Sequence, residues 1–287
     1  MGTEGIKRIA LYGRNGVGKT TISANLGMAL ARAGYRVLLV GCGCQADPGT
    51  SSQGDDAVPA LLELMRKRPA ALPDEAVREG GAGVFRLETG TPLPGGADPG
   101  GSILSAVQRI NVSGLFERLD LDHVIYTVQG DEAGGGFTVP LRAGLFTDIF
   151  TVMSAELKSV RAANSLFERI RQHSGEGGMR AGGIIANFMD ASYSRALVDE
   201  FAGITATSVL AYLPRSHRLE NSDTTVFGSS PDPLLQEEFH RLALKVVARC
   251  DSLVPHPMAP DEIWRFSMKW NTRFQEMETA EGAGAGI

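Results

Sequence analysis

Short apolar runs alternate along this chain with longer stretches in which apolar residues recur every three or four positions. Runs rich in β-branched and aliphatic residues at Ile6–Tyr12, Tyr35–Gly41, Val84–Leu87, His123–Val128, Asp148–Met153, Gly182–Asn187 and Thr205–Leu213 predict seven strands. Between them, Thr21–Ala33, Ala57–Arg68, Ile103–Leu119, Leu157–His173 and Ser194–Ala202 carry helical spacing, as in Leu157, Val160, Leu166, Phe167 and Ile170. A last long helix is predicted over Leu234–Arg249, with Leu235, Phe239, Leu242 and Val246 on one stripe. Strands alternating with helices predict an α/β fold, a mostly parallel sheet flanked by helices on both faces.

No composition shift splits the chain. The Gly/Pro-rich stretch Gly90–Gly101 has periodic apolar elements on both sides, so it reads as a loop inside one domain spanning residues 1–257. Residues 258–287 read as a C-terminal tail containing Trp264, Phe266 and Trp270, and their closing Gly/Ala run is expected to be disordered. The length, 287 residues, suits one large open α/β domain.

Composition narrows the function classes. With 28 basic against 33 acidic residues the net charge is −5 and there is no basic cluster, which argues against nucleic-acid partners, whose binding rests on many Lys/Arg–phosphate contacts. The three cysteines, Cys42, Cys44 and Cys250, do not make a disulfide framework, and no run of about 18 apolar residues is long enough to span a membrane. A cytoplasmic protein is expected. Glycine stands out at 35 residues, well above the usual share of about 7%, and it concentrates in particular loops.

The most specific of these loops is Gly13-Arg-Asn-Gly-Val-Gly-Lys-Thr20, which matches G-x-x-x-x-G-K-[ST] directly after a predicted strand and at the opening of a predicted helix. Glycines in such a loop let successive backbone N–H groups converge on phosphate oxygens, and the helix N-terminus adds partial positive charge at the same point. The pattern makes Gly13, Arg14, Asn15, Gly16, Val17, Gly18, Lys19, Thr20 and Thr21 the phosphate-binding set of a P-loop NTPase. Lys19 would reach the β- and γ-phosphates and Thr20 would hold Mg²⁺.

Several further segments carry a family resemblance. Tyr12–Thr21, Val40-Gly-Cys-Gly-Cys-Gln-Ala-Asp47, Glu88-Thr-Gly-Thr-Pro-Leu-Pro-Gly95, Gly130-Asp-Glu-Ala-Gly-Gly-Gly-Phe137, Val152-Met-Ser-Ala-Glu156, Ala162-Ala-Asn164 and Gly182-Gly-Ile-Ile-Ala-Asn187 occur in an order that resembles the nitrogenase iron protein family, which includes the protochlorophyllide reductase L subunit. The resemblance implies a homodimer that binds MgATP near the subunit interface and passes electrons to a partner through one [4Fe–4S] cluster on the two-fold axis. It also implies that Arg14, standing where the family has a lysine, reaches the other subunit's nucleotide. Asp47 would lie near the Mg²⁺ water shell, Asp131 would orient or deprotonate the attacking water, and Asn187, Pro214 and Arg215 would contact adenine.

The sequence departs from that pattern where the cluster would be held. Asp98 and Gly134 stand where the family carries its two cysteine ligands, and a cluster needs about four strong, usually thiolate, ligands. No [4Fe–4S] cluster is therefore expected. Gly43 and Thr127 also replace carboxylates of the two switch segments, and loss of such an outer partner typically weakens metal affinity or activity by about 10–100-fold. The leading expectation is a cytoplasmic, homodimeric ATP/ADP- and Mg²⁺-dependent switch with slow hydrolysis. It would act on a protein partner, such as a nitrogenase-like component, by regulation, maturation or remodelling. Alternatives are an electron-transferring reductase component with a nonstandard cluster, a non-hydrolysing interaction module, and a metal-binding Cys42/Cys44 pair. Taken alone, Cys42 reads as a small buried hydrophobe.

Overall fold

Strand β1 (Lys7–Gly13) runs through the middle of the sheet and delivers the glycine-rich loop at its C-terminal end. The computed structural model describes residues 5–42, 59–90, 99–129, 145–146, 148–175, 179–220, 225–228, 231–248 and 253–284. The other strands are β2 (Val37–Cys42), β3 (Val77–Glu79), β4 (Val84–Glu88), β5 (His123–Gln129), β6 (Asp148–Met153), β7 (Arg180–Asn187) and β8 (Val209–Leu213). They form one eight-stranded sheet in the order β3-β4-β2-β5-β1-β6-β7-β8. Every pairing is parallel except β3 with β4 at the edge.

The period-two alternation of the central strands sorts their side chains onto two cores. Ile9 and Leu11 of β1 and Val37 and Leu39 of β2 face one side, where they meet Ile22, Leu26 and Leu30 of helix α1 (Lys19–Arg32) and residues of a late helix, among them Leu235, Phe239 and Leu242. Ala10 and Tyr12, with Leu38, Val40 and Cys42, face the opposite side. That core is closed by α2 (Leu61–Lys67), α3 (Pro99–Val112), α4 (Leu115–Arg118), α5 (Leu157–Gln172) and α6 (Ser194–Ile204). The late helix on the α1 side is α8 (Pro233–Val247), preceded by the short α7 (His217–Glu220). The doubly covered, mostly parallel sheet read from the sequence is the observed architecture.

Several boundaries differ from the sequence reading for local reasons. The helix expected over Ile103–Leu119 is two helices, because Gly114 takes a left-handed conformation (φ 74°) and the Ser113 hydroxyl accepts from the Leu115 N–H. The strand expected from Thr205 starts at Val209. Thr205 instead terminates α6, its hydroxyl donating to the Phe201 carbonyl, and Ala206 follows at φ 51°. Strand β3 was too short and too charged to read in advance, and it pairs antiparallel at the edge, where no crossover helix is needed.

Helix α9 (Pro260–Gly284) occupies the segment read as a tail. Its Phe266 and Trp270 are 5% and 1% exposed and join the core that α5 and α6 close, while Phe274 packs partly against it. Asn164 of α5 anchors the approach to α9, donating to the Met258 carbonyl and accepting from the Met258 N–H. Among the described residues no helix is long and apolar enough to cross a membrane.

Candidate functional site

The loop between β1 and α1 holds two glycines at left-handed backbone angles, Gly16 at φ 78° and Gly18 at φ 93°. These two positions need glycine, since a side chain there would meet the αL penalty. Gly18 is the N-cap of α1, and the first turn has neither a capping side chain nor an acidic residue. A helix start with no capping side chain and no competing carboxylate suits an anion.

Lys19 supplies the charge. It is only 6% exposed, and its ammonium donates to the Gly13 carbonyl at 2.9 Å and the Arg14 carbonyl at 3.0 Å, so the chain folds over its own loop. Asn15, Gly16 and Thr20 face solvent, while Val17 is buried among α1-side core residues. Gly13 sits against β6, where an added Cβ would collide with the Val152 carbonyl. Arg14 turns to Glu156, just before α5, at 3.2 Å.

The end of β7 locks the same loop from the other side. Asn187 is 8% exposed and donates from Nδ2 to the Val17 carbonyl at 2.9 Å. A Cβ on Gly18 would collide with that amide, so Gly18 is required by packing as well as by its dihedral. From Gly18 and Thr21 a cleft of about 430 Å³, open solvent at its mouth included, extends along Asn187, Phe188, Leu213, Pro214 and Leu219 to Phe239. Its walls are mainly apolar, with a few polar groups at the loop end.

The structure thus brings together Gly18, Thr21, Asn187 and Pro214, four of the residues selected from the sequence. Arg215 stands apart from them. Its N–H donates to Asp190 Oδ1 at 2.6 Å, its Nε lies 3.3 Å from Asp190 Oδ2, and its guanidinium carbon is 4.7 Å from the Phe188 ring centroid. Asp47 and Asp131, selected for Mg²⁺ and for the attacking water, lie outside the described residues, as do Gly43, Cys44, Asp98, Gly134 and Cys250.

Thr127 is buried on β5, in register with Leu11 of β1 and Gly41 of β2. The carboxylate of Glu88, at the end of β4, lies over Gly41, where a Cβ would strike it. Cys42 is buried, and burial, with the nearby Glu88 carboxylate, holds its thiol well above the ordinary range. Such a thiol stays protonated and inert. Among the described residues no group of three or more His, Cys, Asp or Glu side chains could hold a metal ion.

Phe188 and Asp190 were not singled out by sequence reasoning, and Glu156 was named only as the end of a motif, with no role. Glu156 pairs with a residue 142 positions away, which no local pattern reveals. Phe188 and Asp190 follow the recognisable Asn187, and a phenylalanine at a strand end reads simply as core. The signal that marks Phe188 is its backbone, at φ 59°, a conformation rare for a bulky side chain.

Comparison with known proteins places the chain. It is 36% identical to nitrogenase iron protein 2 of Paenibacillus durus over 276 residues, covering 95% of this chain and 94% of that protein. It is 29% identical to nitrogenase iron protein 1 of Methanothermobacter thermautotrophicus over 271 residues, covering 92% and 98%. In fold it resembles the MinD cell division protein of Aquifex aeolicus, with TM-score 0.64 at 17% identity over 86% of this chain and 99% of that one. A ParA family ATPase of Chlorobium tepidum TLS gives 0.62 at 18% identity, over 84% and 99%. Residues 7–273 match the family described as 4Fe-4S iron sulfur cluster binding proteins, NifH/frxC family, and the chain belongs to that family.

Proposed function

We propose that this protein is an ATP-binding, slowly hydrolysing nucleotide switch of the iron-protein type that works as a homodimer on a protein partner and holds no [4Fe–4S] cluster. The observation that carries the reading is the pairing of a complete phosphate loop with a donor set unsuited to iron. The loop offers an uncapped helix start, left-handed glycines and a buried ammonium at Lys19. Mg²⁺ would be held by Thr20 and, through water, by Asp47. Asp131 would orient the attacking water, and Arg14 would act across the dimer.

The family's cluster does not fit Cys42, the one cysteine among the described residues. A group on a two-fold axis needs thiolates at a surface shared by two copies, about four in all. Cys42 is 2% exposed, points into a hydrophobic core and keeps its proton. The sequence carries no cysteine between Cys44 and Cys250, so the stretch containing Asp98 and Gly134 offers no thiolate.

The test is anaerobic purification followed by iron and sulfide analysis, with phosphate release and solution mass measured with and without MgATP. The reading expects substoichiometric iron, MgATP-dependent dimerisation, and phosphate release that exceeds the Lys19→Ala background. Stoichiometric iron and sulfide would overturn it in favour of an electron-transferring component, the reading that the family's description favours. Equal phosphate release by wild type and Lys19→Ala would reduce it to a non-hydrolysing module.

A further inference from the structure

Phe188 occupies an unusual position. It directly follows the last residue of β7 and takes φ 59°, a left-handed conformation disfavoured for a bulky aromatic side chain. Such a conformation persists only when its surroundings fix it, and residues of this kind concentrate at ligand sites. Here the ring lines the cleft that begins at the phosphate loop, and its tip lies 3.7 Å from where a Cβ on Gly18 would stand. Leu213, Pro214 and Leu219 line the same cleft.

The ring is also braced. The Arg215 guanidinium carbon sits 4.7 Å from its centroid, and Arg215 is itself tied to Asp190 through both its backbone N–H and its Nε. Pro214 and Ser216, on either side of Arg215 in sequence, line the cleft while Arg215 does not. The cation thus lies against a ring that also lines the cleft.

We propose that Phe188 is the stacking face for the nucleobase, a contact that favours nucleotides over the bare polyphosphate. This inference rests on the nucleotide-binding reading. Aromatic side chains stack on any base, and larger ring systems give more overlap, so the contact rewards the presence of a base more than its hydrogen-bonding pattern.

The experiment is calorimetric titration of the full chain with MgATP and with magnesium tripolyphosphate, using wild type, Phe188→Ala, Phe188→Asn and Phe188→Tyr. Asparagine tolerates the left-handed backbone, so Phe188→Asn removes the ring without disturbing the turn. We expect Phe188→Ala and Phe188→Asn to lose about tenfold in MgATP affinity while tripolyphosphate binding stays unchanged, and Phe188→Tyr to bind MgATP as wild type does. Undiminished MgATP affinity in Phe188→Asn, or equal losses for both ligands, would overturn the proposal. Failure of wild type itself to bind MgATP would instead remove the nucleotide reading on which it rests.

Discussion

Arg14 and Glu156 face each other at 3.2 Å, joining the phosphate loop to the residue that precedes α5. Their side chains are 31% and 62% exposed, so the pair contributes little to folding, about 1 kcal/mol or less. Its effect lies in where it holds Arg14. If Arg14 serves the neighbouring copy's nucleotide, the pair within one subunit competes with dimer formation. Glu156→Gln is then expected to leave the thermal midpoint within about 2 °C and to tighten MgATP-dependent dimerisation about two- to fivefold in sedimentation experiments. An unchanged or weaker dimer would sink the idea.

The bond from Asn187 to the Val17 carbonyl is buried, so its removal leaves an acceptor without a partner. Asn187→Ala should cost about 1–3 kcal/mol in chemical denaturation. Gly18→Ala faces both the φ of 93° and the collision with the Asn187 amide. The loop must shift to accept it, and MgATP affinity is expected to fall at least about tenfold. A Gly18→Ala protein that binds MgATP normally would show that the observed loop is not the binding conformation.

His123 opens β5 at 5% exposure, stacks edge-on with Tyr35 at 4.8 Å and has no hydrogen-bond partner for either ring nitrogen among the described residues. Burial lowers its pKa below the ordinary 6.5, with Asp122 opposing and Lys7 adding to the shift. The unfolded chain therefore binds a proton that the folded chain refuses. Stability from this group is complete above about pH 6.5 and declines as pH falls toward the depressed folded value. Denaturation midpoints recorded from pH 7.5 to 5 should show that decline in wild type and a shallower slope in His123→Phe. Parallel slopes would assign the pH dependence to other groups.

Trp270 of α9 is 1% exposed among Phe266 and Phe274, with ring centroids 6.3 and 5.9 Å away. Trp270→Ala is expected to destabilise the protein by about 3–5 kcal/mol. A chain ending at residue 257 should lose cooperative unfolding, read by near-ultraviolet circular dichroism. A stable truncated protein would show instead that α9 is an accessory.

Legibility in the sequence followed the range of the interaction. The phosphate loop was readable because its strand, glycine spacing and helix start are contiguous, and Asn187 because a family motif ends there. Phe266, Trp270 and Phe274 recur every four residues, a helical stripe, yet the polar residues between them and the closing glycines masked it as a tail. Glu156 facing Arg14, Asp190 holding Arg215 and Glu88 over Gly41 depend on which strands become neighbours. That order is set by packing two cores, which no single segment encodes. His123 stands in no motif, and its burial without hydrogen-bond partners among the described residues follows from its place at the foot of a central strand.

Strand β5 is wedged between β1 and β2, hydrogen-bonded to both, so that Gly13, Gln129 and Cys42 finish close together along one rim. The three segments leaving that rim share a single stiff base. Displacing the end of any one of these strands would therefore cost pairing with its neighbours.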